Sequence, residues 1–447
     1  MDRLLDPLFG VGAVDAAFAD HARLQGMLDF EAALAKAEAR LGLIPQRAVA
    51  VIAAACDARR YDLDALGREA AAAGNPAIPM VKALTARVRG ADPEAARYVH
   101  WGATSQDAMD TGLVLQLRVA VEYLRGDLGR LADGLAGLAE THRRTPLAGR
   151  TWLQQALPTT LGRKAAGWLD AVTRQRARLN EILPRLMVVQ FGGAAGTLAA
   201  LGDRGMDVAE ALAAELYLGA PALPWHAERD RVVEFGCWCG MTVGTVAKIA
   251  RDISLMMQTE IGEAFEPAGH GRGGSSTMPH KRNPVAAAIV LAAAHRAPGL
   301  VATLVGAMPQ EHERGLGGWH AEWTALPDLV RLAAGALNAT ADTVTGLEVR
   351  PDRMRANLDV TDGLLMAEAV MMALADRLGR LAAHERVEAA CKQAVADGRP
   401  LRDVLGADAD IAGTVDLDAL FDPLGYVGSV DRMIDAALSR HHESRRI

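Results

Sequence analysis

The chain has 447 residues, of which 50% are hydrophobic and 23% are charged, and its formal net charge is -7. This length and this balance predict a soluble globular protein of roughly two to four domains with a large apolar core. The acidic balance argues against general nucleic-acid binding, because a nucleic-acid surface needs a basic stripe.

The N-terminal segment does not resemble a signal peptide, because Asp2 and Asp6 interrupt it and no long apolar run follows. The longest uncharged stretch, residues 186–202, is too short and too interrupted by glycine to cross a bilayer. Four cysteines are too few for a disulfide scaffold, and we interpret Cys237 and Cys239 as buried thiols. The sequence therefore predicts a cytoplasmic protein that has no membrane partner.

Helical periodicity dominates the chain. Apolar residues recur three and four positions apart, as at Leu24, Met27 and Leu28, and alternating β-branched runs are scarce. This pattern predicts an all-α fold without a substantial sheet. Long helices are predicted over about residues 112–141, 227–263, 284–305 and 319–345.

These long helices predict a central antiparallel bundle that oligomerisation extends. Gly236, Gly240 and Gly244 share one of them and would let helix axes approach closely. Shorter helices separated by turn signals precede and follow the bundle. We therefore predict three helical domains at about 1–111, 112–349 and 350–447.

Residues 267–284 form the most unusual segment, a glycine-rich stretch followed by two serines and then by Lys281, Arg282 and Asn283. Such glycine density indicates a mobile loop or a backbone that approaches a ligand. A phosphate-binding loop is disfavoured because no strand precedes it and the lysine lies away from the glycines. A plain linker would not explain the polar residues just before a helix.

These residues fit an enzyme that removes a proton from the carbon next to a carboxylate. Such a proton is very weakly acidic, so an enzyme needs a positioned base and fixed donors for the resulting dianion. Ser275 is the candidate base, and Lys281 and Asn283, with backbone N–H groups of the loop, are the candidate donors. The N-terminus of the helix that starts near Pro284 would add a favourable dipole.

Residues 274–284, GSSTMPHKRNP, resemble the signature G-S-S-x-M-P-x-K-x-N-P of the fumarase/aspartase superfamily. Residues 100–107, HWGATSQD, resemble its first conserved region, and residues 149–160, GRTWLQQALPTT, resemble its second. The resemblance implies three helical domains, a homotetramer, and active sites shared between subunits. It also implies that Thr104 and Ser105 bind a substrate carboxylate.

Trp152 is the informative departure from this pattern. C–N lyases of the superfamily carry a histidine there, which serves as general acid for a poor nitrogen leaving group. An indole has only an N–H donor and cannot supply that proton, whereas a carboxylate leaving group needs none. The cycloisomerase branch of the superfamily, which closes a lactone with a carboxylate of its substrate, fits this departure and implies a small-molecule tricarboxylate substrate.

The resemblance leaves two alternatives open, a C–N lyase such as adenylosuccinate lyase and a non-catalytic structural member of the superfamily. It implies neither cofactor nor metal, and the histidines lack metal-binding spacing. His100 would bind substrate or simply pack, Thr104 would bind substrate or cap a helix, and the arginines would clamp carboxylates or form ion pairs. The predicted substrate-binding residues are His100, Thr104, Ser105, Arg150, Thr151, Trp152, Gln154, Ser276, Met278, Arg282 and Arg314.

Overall fold

The computed structural model describes residues 4–269, 273–274, 278 and 280–445 of the chain. Most of these residues are helical, so the all-α prediction is confirmed. Short helices come first along the chain: α1 Asp6–Phe9, α2 Gly12–Ala17, α3 Asp20–Arg40, α4 Gln46–Ala55, α5 Leu63–Ala73 and α6 Ala77–Ala91. The long helices follow, with one shorter helix among them: α7 Ser105–Thr141, α8 Leu161–Leu186, α9 Gly205–Leu216, α10 Asp230–Met256, α11 Val285–Gly306 and α12 Gly318–Thr345. The last helices are α13 Pro351–Asn357, α14 Ala367–Leu378, α15 Arg380–Asp397, α16 Leu401–Ala407, α17 Ala409–Ala412, α18 Leu417–Leu420 and α19 Val430–Ser444.

In the described ranges, two small antiparallel sheets interrupt the helices. The first pairs β1 Pro146–Thr151 with β2 Gln154–Thr160, and the second pairs β3 Ala264–Phe265 with β4 Glu348–Val349. Neither sheet exceeds two strands, and the first had no clear sequence signal because proline and glycine break any alternation in β1 and β2.

The backbone contacts divide the chain into two compact units. The first comprises Met1–Asp127, Gln175–Val246 and Ile289–Asn338, and the second comprises Leu128–Arg174, Ala247–Ala288 and Ala339–Ile447. The predicted division into three domains stays a prediction.

The first unit has one large apolar core, to which α3, α4, α6 and α9 contribute most of the buried side chains. The predicted close approach of helices is confirmed at two glycines of α10. A Cβ atom on Gly236 would lie 2.4 Å from a methyl carbon of Leu304, and one on Gly240 would lie 2.6 Å from Val301. A larger side chain at either position would therefore force Leu304 or Val301 of α11 to shift.

The second unit has smaller apolar clusters. Val370, Leu374, Val387 and Leu405 form one of them between α14, α15 and α16. Leu147 at the start of the hairpin packs with Leu161 and Met354. These contacts hold the hairpin against α8 and α13 within this unit.

Within the described part of the chain, two helices, α10 and α11, are long and apolar enough to cross a membrane by length and composition alone. Core and subunit-interface helices of soluble proteins pass the same test, so this property is weak evidence for a membrane.

Candidate active site

Thr104 and Arg314 come together at the start of α7 in the first unit. The prediction that this helix starts at about residue 112 was wrong, because it begins at Ser105. The Thr104 backbone N–H donates to the Asp107 carboxylate at 3.0 Å, which closes the first turn. Arg314 donates from Nη1 to the Thr104 hydroxyl at 3.1 Å and from Nη2 to the Ala194 carbonyl at 2.9 Å. The threonine hydroxyl therefore contacts a cation, as a carboxylate subsite would require.

Asp107 fixes this turn from inside the protein. Its fully buried carboxylate accepts hydrogen bonds from the backbone N–H groups of Gly192 and Gly193, each at 3.0 Å. It also accepts from Gln190 at 3.2 Å and from His226 Nε2 at 2.7 Å. Sequence reasoning missed this residue, although the spacing T-x-x-D of a capping box was present.

His100 lies four residues before Thr104, in a turn where its own φ is 58°. Its Nδ1 lies 2.6 Å from Oε1 of Glu31, a buried carboxylate on α3. Burial lowers the pKa of His100, but the attraction and hydrogen bond of Glu31 raise it by more, so the pKa lies above its usual value. Sequence reasoning missed Glu31.

Trp152 stands at the tip of the β1–β2 hairpin in the second unit, with 98% of its surface exposed. Thr151 and Gln154 pair across the hairpin, so Trp152 and Leu153 form a two-residue turn. Both have positive φ, at 53° and 65°, which such a turn requires but large side chains disfavour. An exposed indole held in a costly backbone conformation is typical of a functional position.

Arg150 does not face solvent as a free clamp. Its guanidinium donates to both carboxylate oxygens of Glu263, at 3.0 and 2.7 Å. Glu263 is fully buried and also accepts from Asn357 at 2.9 Å. The ion-pair alternative is therefore what the structure has, and substrate clamping by Arg150 stays a prediction that would require breaking this pair.

Arg282 also has a carboxylate partner. It donates to both oxygens of Glu348, at 2.7 and 2.9 Å, and to the Glu266 carbonyl at 2.7 Å. This hydrogen bond from Arg282 holds the pKa of Glu348 below its usual value. The Arg282 guanidinium also lies over the Phe265 ring, 4.8 Å from the centroid. Substrate clamping by Arg282 likewise stays a prediction.

The N-terminus of α11 is capped by Glu266, which sequence reasoning missed. Its carboxylate accepts from the backbone N–H groups of Ala286 and Ala287 at 2.9 and 2.8 Å. The predicted helix start near Pro284 is confirmed, since α11 begins at Val285. The helix dipole that we expected to stabilise a substrate anion is therefore already facing a protein carboxylate.

Ser275 and Ser276 lie outside the described residues. Lys281 and Asn283 line a cavity of about 230 Å³ within the second unit, together with Gly273 and Gly274. A Cβ atom on Gly273 would lie 2.8 Å from the Asn283 carbonyl, so only glycine fits against that residue. Among the remaining candidates, Met278 is partly exposed.

The similarity of the chain to known proteins agrees with this arrangement. A family model described as Lyase matches residues 11–299, and one described as Adenylosuccinate lyase C-terminus matches residues 363–437. The chain belongs to this lyase family, within the fumarase/aspartase superfamily.

Particular relatives match almost the whole chain. The 3-carboxy-cis,cis-muconate cycloisomerase of Pseudomonas aeruginosa is 59% identical over 444 residues, which cover 99% of this chain and 97% of the relative. The nitrosuccinate lyase of Streptomyces davaonensis is 44% identical over 446 residues, covering 97% of this chain and 94% of the relative. The crystal structure of 3-carboxy-cis,cis-muconate lactonizing enzyme from Pseudomonas putida superimposes with a TM-score of 0.95 at 55% identity, covering 99% of this chain and 100% of that chain.

Proposed function

We propose that the chain catalyses the lactonisation of 3-carboxy-cis,cis-muconate to 4-carboxymuconolactone in protocatechuate catabolism, the β-ketoadipate pathway. The reaction is that of a cycloisomerase, an intramolecular lyase, and needs neither cofactor nor metal. The two Pseudomonas relatives, both named for this activity, support the substrate class. We place the enzyme in the cytoplasm.

Trp152 is the observation that carries this proposal. The hairpin presents an indole where C–N lyases of the superfamily present an acid, and its exposure leaves the ring available to a ligand or a neighbouring subunit. A leaving group that is already a stable carboxylate needs no proton there. The other side chains at the hairpin tip, those of Thr151, Leu153 and Gln154, are also unable to act as acids near neutral pH.

The proposed reaction forms one C–O bond and one C–H bond. A substrate carboxylate oxygen attacks a carbon of the conjugated diene, and the displaced π electrons move to the carbon next to another carboxylate. This carbon and its adjacent carboxylate then share two negative charges, which Lys281 and Asn283 stabilise. Ser275 delivers the proton to the same carbon. The roles of these three residues rest on the signature match. Thr104 and Ser105, with Arg314, hold a carboxylate that does not react.

Proton uptake provides a sharp test of this function. The substrate is a trianion and the product a dianion, so each turnover should consume one proton from solvent. We expect loss of the diene absorbance and alkalinisation of a weakly buffered solution to proceed at equal molar rates. If neither the fall in diene absorbance nor the alkalinisation occurred, the proposal would be contradicted. Fumarate release from adenylosuccinate would instead establish a C–N lyase, and inactivity towards both substrates would favour a structural role.

The exposed apolar surface of one chain supports a homotetramer. The most apolar window of α11 has a mean hydropathy of 1.6, yet only 22% of it is buried. A soluble chain covers such a surface by association, which buries apolar area. Burial of the exposed indole at the hairpin tip would stabilise the assembly further. We expect a particle of about 190 kDa, four times the chain mass of 47.3 kDa, by sedimentation equilibrium. A monomer at micromolar concentration would contradict this proposal.

Shared active sites would allow two inactive variants to restore activity together. We expect Ser275→Ala and Thr104→Ala to be inactive separately and partly active after joint unfolding and refolding, because a mixed tetramer can contain an intact site. Each variant refolded with itself is the control. Mixed tetramers without activity would show that both residues of each site come from one chain.

A further inference from the structure

Among the residues that the structure describes, the buried carboxylate of Glu31 makes one hydrogen bond, to His100. The side chain of Glu31 is 1% exposed and that of His100 is 15% exposed. A carboxylate only accepts hydrogen bonds, so Nδ1 of the imidazole carries a hydrogen and donates it at 2.6 Å. The other ring nitrogen, Nε2, has no partner recorded among the residues that the structure describes.

Protonation would reverse the chemical character of this Nε2 atom. In the neutral ring, with hydrogen on Nδ1, Nε2 is an acceptor and repels a carboxylate oxygen. In the imidazolium, Nε2–H is a charged donor and attracts one. The charge state of His100 therefore decides whether the turn that leads into Thr104 favours or disfavours an anion.

The surroundings of His100 favour the charged ring. Glu31 faces it from α3, and Asp107 acts on it from α7 and also raises its pKa. Two further titratable groups interact with Glu31. Glu38 lies seven residues later on the buried face of α3, and Cys56 follows α4. Burial and the nearby Glu31 raise the pKa of Glu38 to about 9, and burial raises that of Cys56 to about 12. Both groups are therefore neutral near pH 7, and Glu31 supplies the charge that contacts the ring.

We propose that Glu31 is a positioning residue that holds His100 as an imidazolium, whose Nε2–H binds a substrate carboxylate beside the Thr104–Ser105 turn. This inference rests on the proposed function only in the identity of the substrate. Arg314 already contacts the Thr104 hydroxyl, so His100 would supply a second cation to the same turn. A trianionic substrate requires more than one cation for tight binding.

Glu31→Gln tests the proposal because glutamine keeps the shape of the side chain and removes its charge. We expect KM at pH 7.5 to rise roughly tenfold, since the charge-assisted bond to substrate is lost, with a much smaller change in kcat. In the wild type, KM should rise as pH increases through the raised pKa of His100. In the variant, this rise in KM should occur at lower pH, because the charge of Glu31 no longer raises the pKa of the ring.

Glu38→Gln is the matched control. Glu38 is a buried carboxyl on the same helix, and no hydrogen-bond partner is recorded for either of its oxygens among the described residues. Glu38 is protonated near neutral pH, so the amide should leave the pH step of KM unchanged. An unchanged step in Glu31→Gln, or an equal shift in both variants, would overturn the proposal. If Glu31→Gln does not fold, His100→Gln serves instead, and persistence of the pH step in that variant would overturn it.

Calorimetric binding of propane-1,2,3-tricarboxylate separates this inference from the proposed function. We expect the wild type to bind this unreactive trianion more weakly as pH rises through the same step, and the step to shift in Glu31→Gln. Binding with that shift but without muconate turnover would overturn only the proposed function. Turnover with no shift in binding would overturn only the role of Glu31.

Discussion

Ser275→Ala should lower kcat by roughly 10²–10⁴-fold, whereas Trp152→Phe should lower it by less than about tenfold, or about 1.4 kcal/mol. The serine delivers a proton in the rate-determining chemistry that we propose, and alanine cannot. The indole contributes shape and excludes water, and phenylalanine keeps most of that volume. The order of the two effects is the prediction, and steady-state rates of diene loss measure it.

The hairpin geometry makes Trp152→Phe a fair comparison. Trp152 has positive φ and almost no contact within the chain, so an aromatic replacement keeps the same backbone cost and breaks no packing there. Circular dichroism and the oligomeric mass would verify that the variants remain folded. If Trp152→Phe were as damaging as Ser275→Ala, the indole N–H would be essential, and the reason that we give for the missing histidine would be wrong.

Trp152→His extends the same comparison. It restores the side chain that C–N lyases use as an acid, but a carboxylate nucleophile is already ionised at neutral pH. Lactonisation should therefore not accelerate. A faster reaction in this variant would mean that proton transfer at the hairpin tip limits the rate.

Periodicity predicted α7, α10, α11 and α12 among the long helices, but it missed α8, and the predicted range 227–263 exceeds α10 at both ends. The predicted ranges 284–305 and 319–345 agree with α11 and α12 to within a residue at each end. The β1–β2 hairpin was not predictable in this way. Its turn residues, Trp152 and Leu153, lack the asparagine and glycine that signal a two-residue turn.

The chemistry-bearing motifs of the candidate site were recognisable, but their ionic partners were not. Glu263, Glu266 and Glu348 belong to none of the motifs that the sequence analysis identified, and only the fold brings them to Arg150, the α11 N-terminus and Arg282. Glu31 and His100 are 69 residues apart. Pairings over such distances follow from tertiary packing, which short-range patterns do not encode.

Arg229→Met should be the most destabilising of the substitutions considered, by about 3–5 kcal/mol. Arg229 is buried and donates to Asp110 at 2.7 Å and to Glu322 at 2.6 Å. These carboxylates, from α7 and α12, are themselves 2% and 1% exposed. Methionine fills similar volume, so the loss comes from two buried charges that no longer have their cation.

A matched surface pair separates this effect from the loss of an ion pair in general. Arg185 makes a similar two-point contact with Glu234, but both side chains are substantially exposed. Arg185→Met should leave the thermal midpoint nearly unchanged, because water solvates the remaining carboxylate. Both midpoints must be measured at one protein concentration, since an oligomer's midpoint depends on it.

The pH dependence of Arg229→Met identifies the cause of its instability. Burial already raises the pKa of Glu322, and Arg229 opposes that rise. Removing the cation therefore raises the folded-state pKa of Glu322 further above its unfolded value, and protonation relieves the buried charge. The difference in unfolding free energy between the wild type and the variant should therefore be largest at pH 8 and should shrink as pH falls towards 5. A difference that is equal at both pH values would indicate lost packing of the arginine side chain. The buried ion cluster would then contribute to the core of the first unit through volume and not through charge.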